Sequence, residues 1–90
     1  MTTAIVDIET DSLNATKIHC IVARSYETNK VKAWVGQECS EFASWSQQID
    51  TFVMHNGISF DAPVLNRLLG CNIKLSQIRD TLIESQLYNP

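Results

Sequence analysis

Cysteine is scarce in this chain of 90 residues, and the three cysteines fall in no C-x-x-C pair. Cys20, Cys39 and Cys71 are odd in number and widely spaced, which excludes both a disulfide frame and a zinc site of ordinary spacing. They read as reduced thiols of a cytoplasmic protein. No apolar run approaches the ~18 residues of a membrane span, and the N-terminus lacks the basic region and apolar stretch of a signal peptide. Repeats, low-complexity tracts and linkers are also absent. Positive charge is in short supply: 7 Lys and Arg stand against 10 Asp and Glu, for a net charge of −3. That argues against a passive electrostatic binder of nucleic acid. It does not argue against a protein that meets phosphates through bound cations, because these reverse the local sign.

What is there suits one globular domain over residues 1–90, at 44% hydrophobic and 19% charged content. A domain this small buries about 60–65% of the surface its unfolded chain exposes, so its core is modest. Residues 4–9 (AIVDIE) predict a strand with Ile5, Asp7 and Glu9 on one face and Val6 and Ile8 on the other. Asp11 to Thr16 carries turn chemistry. Residues 17–26 and 30–35 predict a hairpin, with Ile18, Cys20 and Val22 opposite Ile21 and Ala23. Ser40 is expected to cap a helix in which Phe42, Trp45 and Ile49 recur at helical spacing. A short strand over 51–55 ends at Asn56-Gly57. The next helix has Pro63 in its first turn, Val64, Leu65, Leu68 and Leu69 as its apolar face, and Gly70 as its stop. A last strand over 77–80 leads to a helix over 80–87, capped by Asp80, with Leu82, Ile83 and Leu87 facing in. The order β-β-β-α-β-α-β-α predicts an α/β fold with a mixed sheet and flanking helices. Ligands bind such sheets at the C-terminal ends of strands, where Asp7, Glu9, His55 and Asn56 fall. The two sets meet if the first strand lies beside the fourth.

Asp7 and Glu9, two apart on a strand, leave the same face. Asp61, after the Asn56-Gly57 turn, could swing back toward them. Three convergent carboxylates repel one another, and hard divalent cations relieve that repulsion by taking carboxylate oxygens as ligands. Each piece alone has a plainer reading: a solvated strand end for Asp7 and Glu9, a favourable charge at a helix start for Asp61. His19 and His55 read as structural.

Together the pieces are more specific. "DIETDSL" (Asp7 to Leu13) resembles the first motif of the DEDD superfamily of 3′–5′ exonucleases, most closely the proofreading domains of phage-type family A DNA polymerases. "HNGISFDAPVL" (His55 to Leu65) resembles their second motif. "TKIHC" and "RDTLIESQLY" are similar to the phage branch. The resemblance implies a ribonuclease H-like fold and a two-metal site for Mg²⁺ or Mn²⁺. In it Asp7 would bridge both ions, Glu9 would hold the ion bearing the attacking water, and Asp61 would contact the second. Thr10 would meet the terminal nucleotide through its backbone. Leu13 and Phe60 would pack on the terminal bases, and Asn56 would help position the strand. The implied partners are a single-stranded DNA 3′ end and a DNA polymerase, in a bacterial cell or a phage-infected host.

The resembling family has a third motif, Y-x-x-x-D or H-x-x-x-D, which supplies a fourth carboxylate and orients the water. This sequence reaches Pro90 without one. The expectation is a fold incomplete at its C-terminus: a piece of a split exonuclease completed by a partner polypeptide, a truncated product, or a nuclease fold kept for binding. Activity of the chain alone is expected to be weak or absent, and the last helix is expected to favour self-association.

Overall fold

Val6 and Ile8 alternate with Asp7 and Glu9, so a strand there can bury one face and wet the other. In the computed structural model that is what happens. It describes the backbone of residues 2–12 and 14–88, and their side chains as far as residue 84. Strand β1 (Thr3–Thr10) buries Ala4, Val6 and Ile8 and exposes Asp7 and Glu9. Strand β2 (Ile18–Ser25) runs antiparallel to it, with Asp7 opposite Val22 and Glu9 opposite Cys20. The register then slips: Thr10 pairs with Ile18, which leaves His19 as an extra residue. A bulge of this kind re-aims the side chains beyond it. Ile18 therefore joins Ile21 and Ala23 in the core, at 5% exposure, and does not share the face of Cys20 and Val22 as strict alternation predicts.

Strand β3 (Val31–Val35) pairs with β2 and forms one edge of the sheet. A 3-10 turn (Gly36–Glu41) then precedes the short helix α1 (Phe42–Ser46). Ser40 lies inside that turn, where its hydroxyl donates to the Gln37 carbonyl at 3.0 Å; it is not the cap that its position suggests. Phe42 is buried, and Ile49 is buried beyond the end of the helix. Trp34, Phe42 and Trp45 pack with ring centroids 5.0 to 5.6 Å apart, as edge and tilted pairs.

Strand β4 (Thr51–Met54) lies parallel to β1, through Thr3–Thr51, Ala4–Phe52 and Ile5–Val53. A π-helical turn (Gly57–Asp61) leads into helix α2 (Ala62–Leu69). Pro63 sits in the first turn of α2, and Gly70 closes it at φ +71°, a left-handed conformation that suits glycine. Strand β5 (Ile78–Asp80) adds parallel to β4, and helix α3 (Thr81–Tyr88) follows at once.

The strand order is β3-β2-β1-β4-β5, a mixed sheet of ribonuclease H-like topology with flanking helices. The core lies between one face of the sheet and the apolar sides of α1 and α2, around Val6, Ile21, Phe42, Phe52, Met54, Val64 and Leu65. Helix α3 departs from the sequence reading: Leu82 is only half-buried, Ile83 is 39% exposed, and neither belongs to the core. The Leu87 side chain is outside the described residues.

Candidate functional site

The pairing of β1 with β4 reaches Ile5 and Val53. Asp7 and Glu9 thus stand on a stretch of β1 that runs past the end of its parallel neighbour, with β2 on the other side. The chain leaving β4 turns sharply beside this overhang. Asn56 takes a left-handed conformation, φ +63°, which asparagine tolerates better than most residues. Gly57 then passes close over Met54, where a side chain would not fit. These two needs explain the Asn-Gly pair locally. The Phe60 amide donates to the Asn56 carbonyl at 3.0 Å, and the Ala62 amide reaches back five residues to the Gly57 carbonyl. This wide π turn is an uncommon geometry that recurs at functional sites.

The turn delivers Asp61 to the start of α2, where it is 6% exposed. Burial pushes its carboxyl up, and the nearby charges of Asp7 and Asp80 push it further, to about 7. The structure thus brings Asp61 within the field of Asp7, across the sequence gap between the two motifs. Among the described residues, no three His, Cys, Asp or Glu side chains form a ready cage for a metal ion. The donor chemistry of Asp7 and Asp61, two hard oxygen ligands that repel each other, fits a divalent cation. Glu9 is exposed on the same strand face as Asp7.

The remaining expected contacts have definite surroundings. Thr10 is half-buried beside the bulge, and its hydroxyl donates to the Ser12 carbonyl at 3.0 Å. Leu13 lies outside the described residues. Asn56 uses its backbone to shape the turn. Phe60 is half-buried and packs against the core, which leaves part of its ring to the surface. His55 is exposed, with Nδ1 3.0 Å from the Thr81 hydroxyl. Asp11 closes the loop after β1: its carboxylate accepts the Thr16 hydroxyl at 2.6 Å and the amides of Thr16 and Lys17 at 3.1 and 3.2 Å. The hydroxyl bond leads in holding its carboxyl down at about 2.

The sheet of this chain has a counterpart in a DNA polymerase. The structure of the family B DNA polymerase from the hyperthermophilic archaeon Pyrobaculum calidifontis is similar at a TM-score of 0.59 and 15% sequence identity, over 78% of this chain. The match occupies 11% of that polymerase chain. At such identity the likeness establishes the fold alone. No protein-family model and no curated protein matches the sequence.

Asp80 is the residue whose importance sequence reasoning understated. It is 4% exposed. Burial raises its carboxyl, but bonds from the amides of Ile58, Ile83, Asn56 and Leu82 outweigh that and hold it below the usual carboxylate range. An aspartate just before a helix signals a cap. Nothing local signals the bonds to Asn56 and Ile58, 24 and 22 residues earlier. A hollow of about 520 Å³, lined by Ser46, Asp50, Lys74 and Gln77, lies at the opposite, N-terminal ends of β4 and β5, away from the acidic pair.

Proposed function

We propose that this chain forms the acidic N-terminal part of a two-metal 3′–5′ exonuclease site, of the proofreading type, that acts on the 3′ end of single-stranded DNA. The observation that carries this reading is the convergence of Asp7, on the overhanging end of β1, with the buried Asp61 at the start of α2. Two acids from separate motifs, one of them buried, stand at the C-terminal edge of a ribonuclease H-like sheet. The polymerase likeness supports the same setting.

Asp7 and Asp61 would hold divalent cations, Mg²⁺ or Mn²⁺, with Glu9 joining from the same strand face. Such ions supply an activated water and stabilise the leaving oxygen of a phosphodiester. The backbone at Thr10 would orient the terminal nucleotide. The exposed part of Phe60 would stack on a base, a contact indifferent to sequence because every base offers a face. A fourth carboxylate would come from a further segment or from a partner polypeptide, which itself belongs with a DNA polymerase.

A second reading has one observation in its favour: no three candidate ligands form a cage among the described residues. On that reading the fold is a non-catalytic module that binds protein or nucleic acid. The two separate in one assay. The chain, combined with the segment that completes it, is given a 5′-labelled single-stranded oligonucleotide and Mn²⁺. The exonuclease reading expects a ladder shortening from the 3′ end, abolished by Asp7→Ala. Binding without shortening supports the module, and shortening that survives Asp7→Ala removes the assignment of Asp7.

A further inference from the structure

The carboxylate of Asp80 does two jobs with two oxygens. Oδ1 accepts the amides of Leu82 and Ile83 at 3.0 and 3.3 Å. With Thr81 as the first helical residue of α3, these are the second and third amides of the helix, which an N-cap side chain ordinarily satisfies. Oδ1 also accepts the amide of Asn56 at 2.9 Å, and Oδ2 accepts that of Ile58 at 3.0 Å. No helix cap requires these last two bonds. They tie the end of β5 to the two residues that flank Gly57.

Thr81 adds to the same seam. Its hydroxyl lies 3.4 Å from the Met54 carbonyl, which it can donate to, and 3.0 Å from His55 Nδ1. The Asp80-Thr81 pair therefore touches Met54, His55, Asn56 and Ile58, nearly every residue between the end of β4 and the body of the π turn. Ile58 is three residues ahead of Asp61 within that turn. The direction in which Asp61 leaves the turn depends on where Ile58 is held.

We propose that Asp80 is a positioning residue for the candidate metal site: it holds the Asn56–Asp61 segment so that Asp61 faces Asp7, and it couples the order of that segment to the docking of α3. This rests on the reading of Asp7 and Asp61 as the cation-holding pair. A carboxylate suits the role because both of its oxygens accept and neither donates: Oδ1 takes the amides of Asn56, Leu82 and Ile83, and Oδ2 takes that of Ile58. An asparagine offers one oxygen and one NH₂ group. Placed here, its oxygen can keep the amides of Asn56, Leu82 and Ile83, while its NH₂ opposes the Ile58 amide, donor against donor. Asp80→Asn thus spares the helix cap and breaks the anchor.

The test is amide hydrogen exchange on the full chain, wild type against Asp80→Asn, with Mn²⁺ titrated alone as the metal probe. Mn²⁺ binding is followed by paramagnetic broadening of resonances around Asp7. Leu82 and Ile83 should exchange as in wild type. Ile58 should exchange about tenfold faster, the effect of one lost hydrogen bond. Mn²⁺ affinity should fall on the order of tenfold, as when a partner that orients a metal ligand is lost. Ile58 protection unchanged in Asp80→Asn overturns the anchor. Faster exchange at Ile58 with unchanged Mn²⁺ affinity also overturns the proposal, because Asp80 then ties down the turn without positioning Asp61. Asp61→Asn, run beside it, isolates the underlying reading. Broadening around Asp7 that survives Asp61→Asn refutes the cation-holding pair itself, and the positioning role falls with it.

Discussion

Gly57 rides so closely over Met54 that a Cβ on it would stand 2.5 Å from the Met54 Cβ and 2.8 Å from its Sδ. The contact fixes the tight exit from β4 on which the position of Asp61 depends. Gly57→Ala is expected to cost about 2 kcal/mol, the usual size of overpacking in a tight core. Gly36→Ala is the control: nothing lies within 4 Å of a Cβ there, and only its φ of +60° resists, so about 1 kcal/mol is expected. Urea denaturation of both variants measures the difference, and equal costs would refute the steric account of Gly57.

The His19 bulge makes a second prediction, because it separates two residues that alternation alone would place together. Ile18 is 5% exposed and Val22 is 40% exposed. Ile18→Asn should destabilise by about 2–4 kcal/mol, since it buries an amide without partners. Val22→Asn should cost less than about 1 kcal/mol. Thermal denaturation of the two variants decides the register. Similar costs at both positions would restore strict alternation.

Stability should respond to pH with opposite signs at Asp61 and Asp80. The folded state holds the Asp61 proton up to about 7. Between the usual carboxylate pKa and that value the native state binds more protons than the unfolded state, so stability falls as pH rises. The full decline is on the order of 4 kcal/mol. Asp61→Asn should flatten this decline between pH 4 and 8, and Mg²⁺ or Mn²⁺ should offset it in the wild type. Asp80 is held below its usual value. Its contribution is complete above that usual value and is lost on acidification through the folded one. Denaturant midpoints across pH 2–8 show both limbs, and a flat wild-type profile between pH 4 and 8 contradicts the environment assigned to Asp61.

Much of the fold was legible because its signals are local. The alternation of Val6 and Ile8 with Asp7 and Glu9 reads as a half-buried strand, and Pro63 and Gly70 bracket α2 at the positions their backbones favour. The β1–β4 adjacency was legible only as a condition, since strand neighbours are set by crossovers that no local pattern encodes. The bulge escaped because register belongs to a pair of strands and not to either sequence. Ser40 misled because a 3-10 turn takes up the segment before α1, and its hydroxyl serves that turn. Ile83 misled because an apolar residue on a helix faces inward only if something lies there to meet it. At the site, the types and order of Asp7, Glu9 and Asp61 were readable. The nearness of Asp61 to Asp7 and the second task of Asp80 both depend on contacts across the sheet.

Whether Asp7 and Asp61 share a cation decides between the exonuclease site and a non-catalytic module. The direct measurement is Mn²⁺ titration of the full chain at pH 8, reading paramagnetic broadening residue by residue in wild type, Asp7→Ala and Asp61→Asn. In the wild type the broadening is expected to centre on Asp7, Ile8 and the Gly57–Asp61 turn, and to be lost in both variants. Broadening centred elsewhere, or unchanged in Asp7→Ala, would contradict a cation shared by the two.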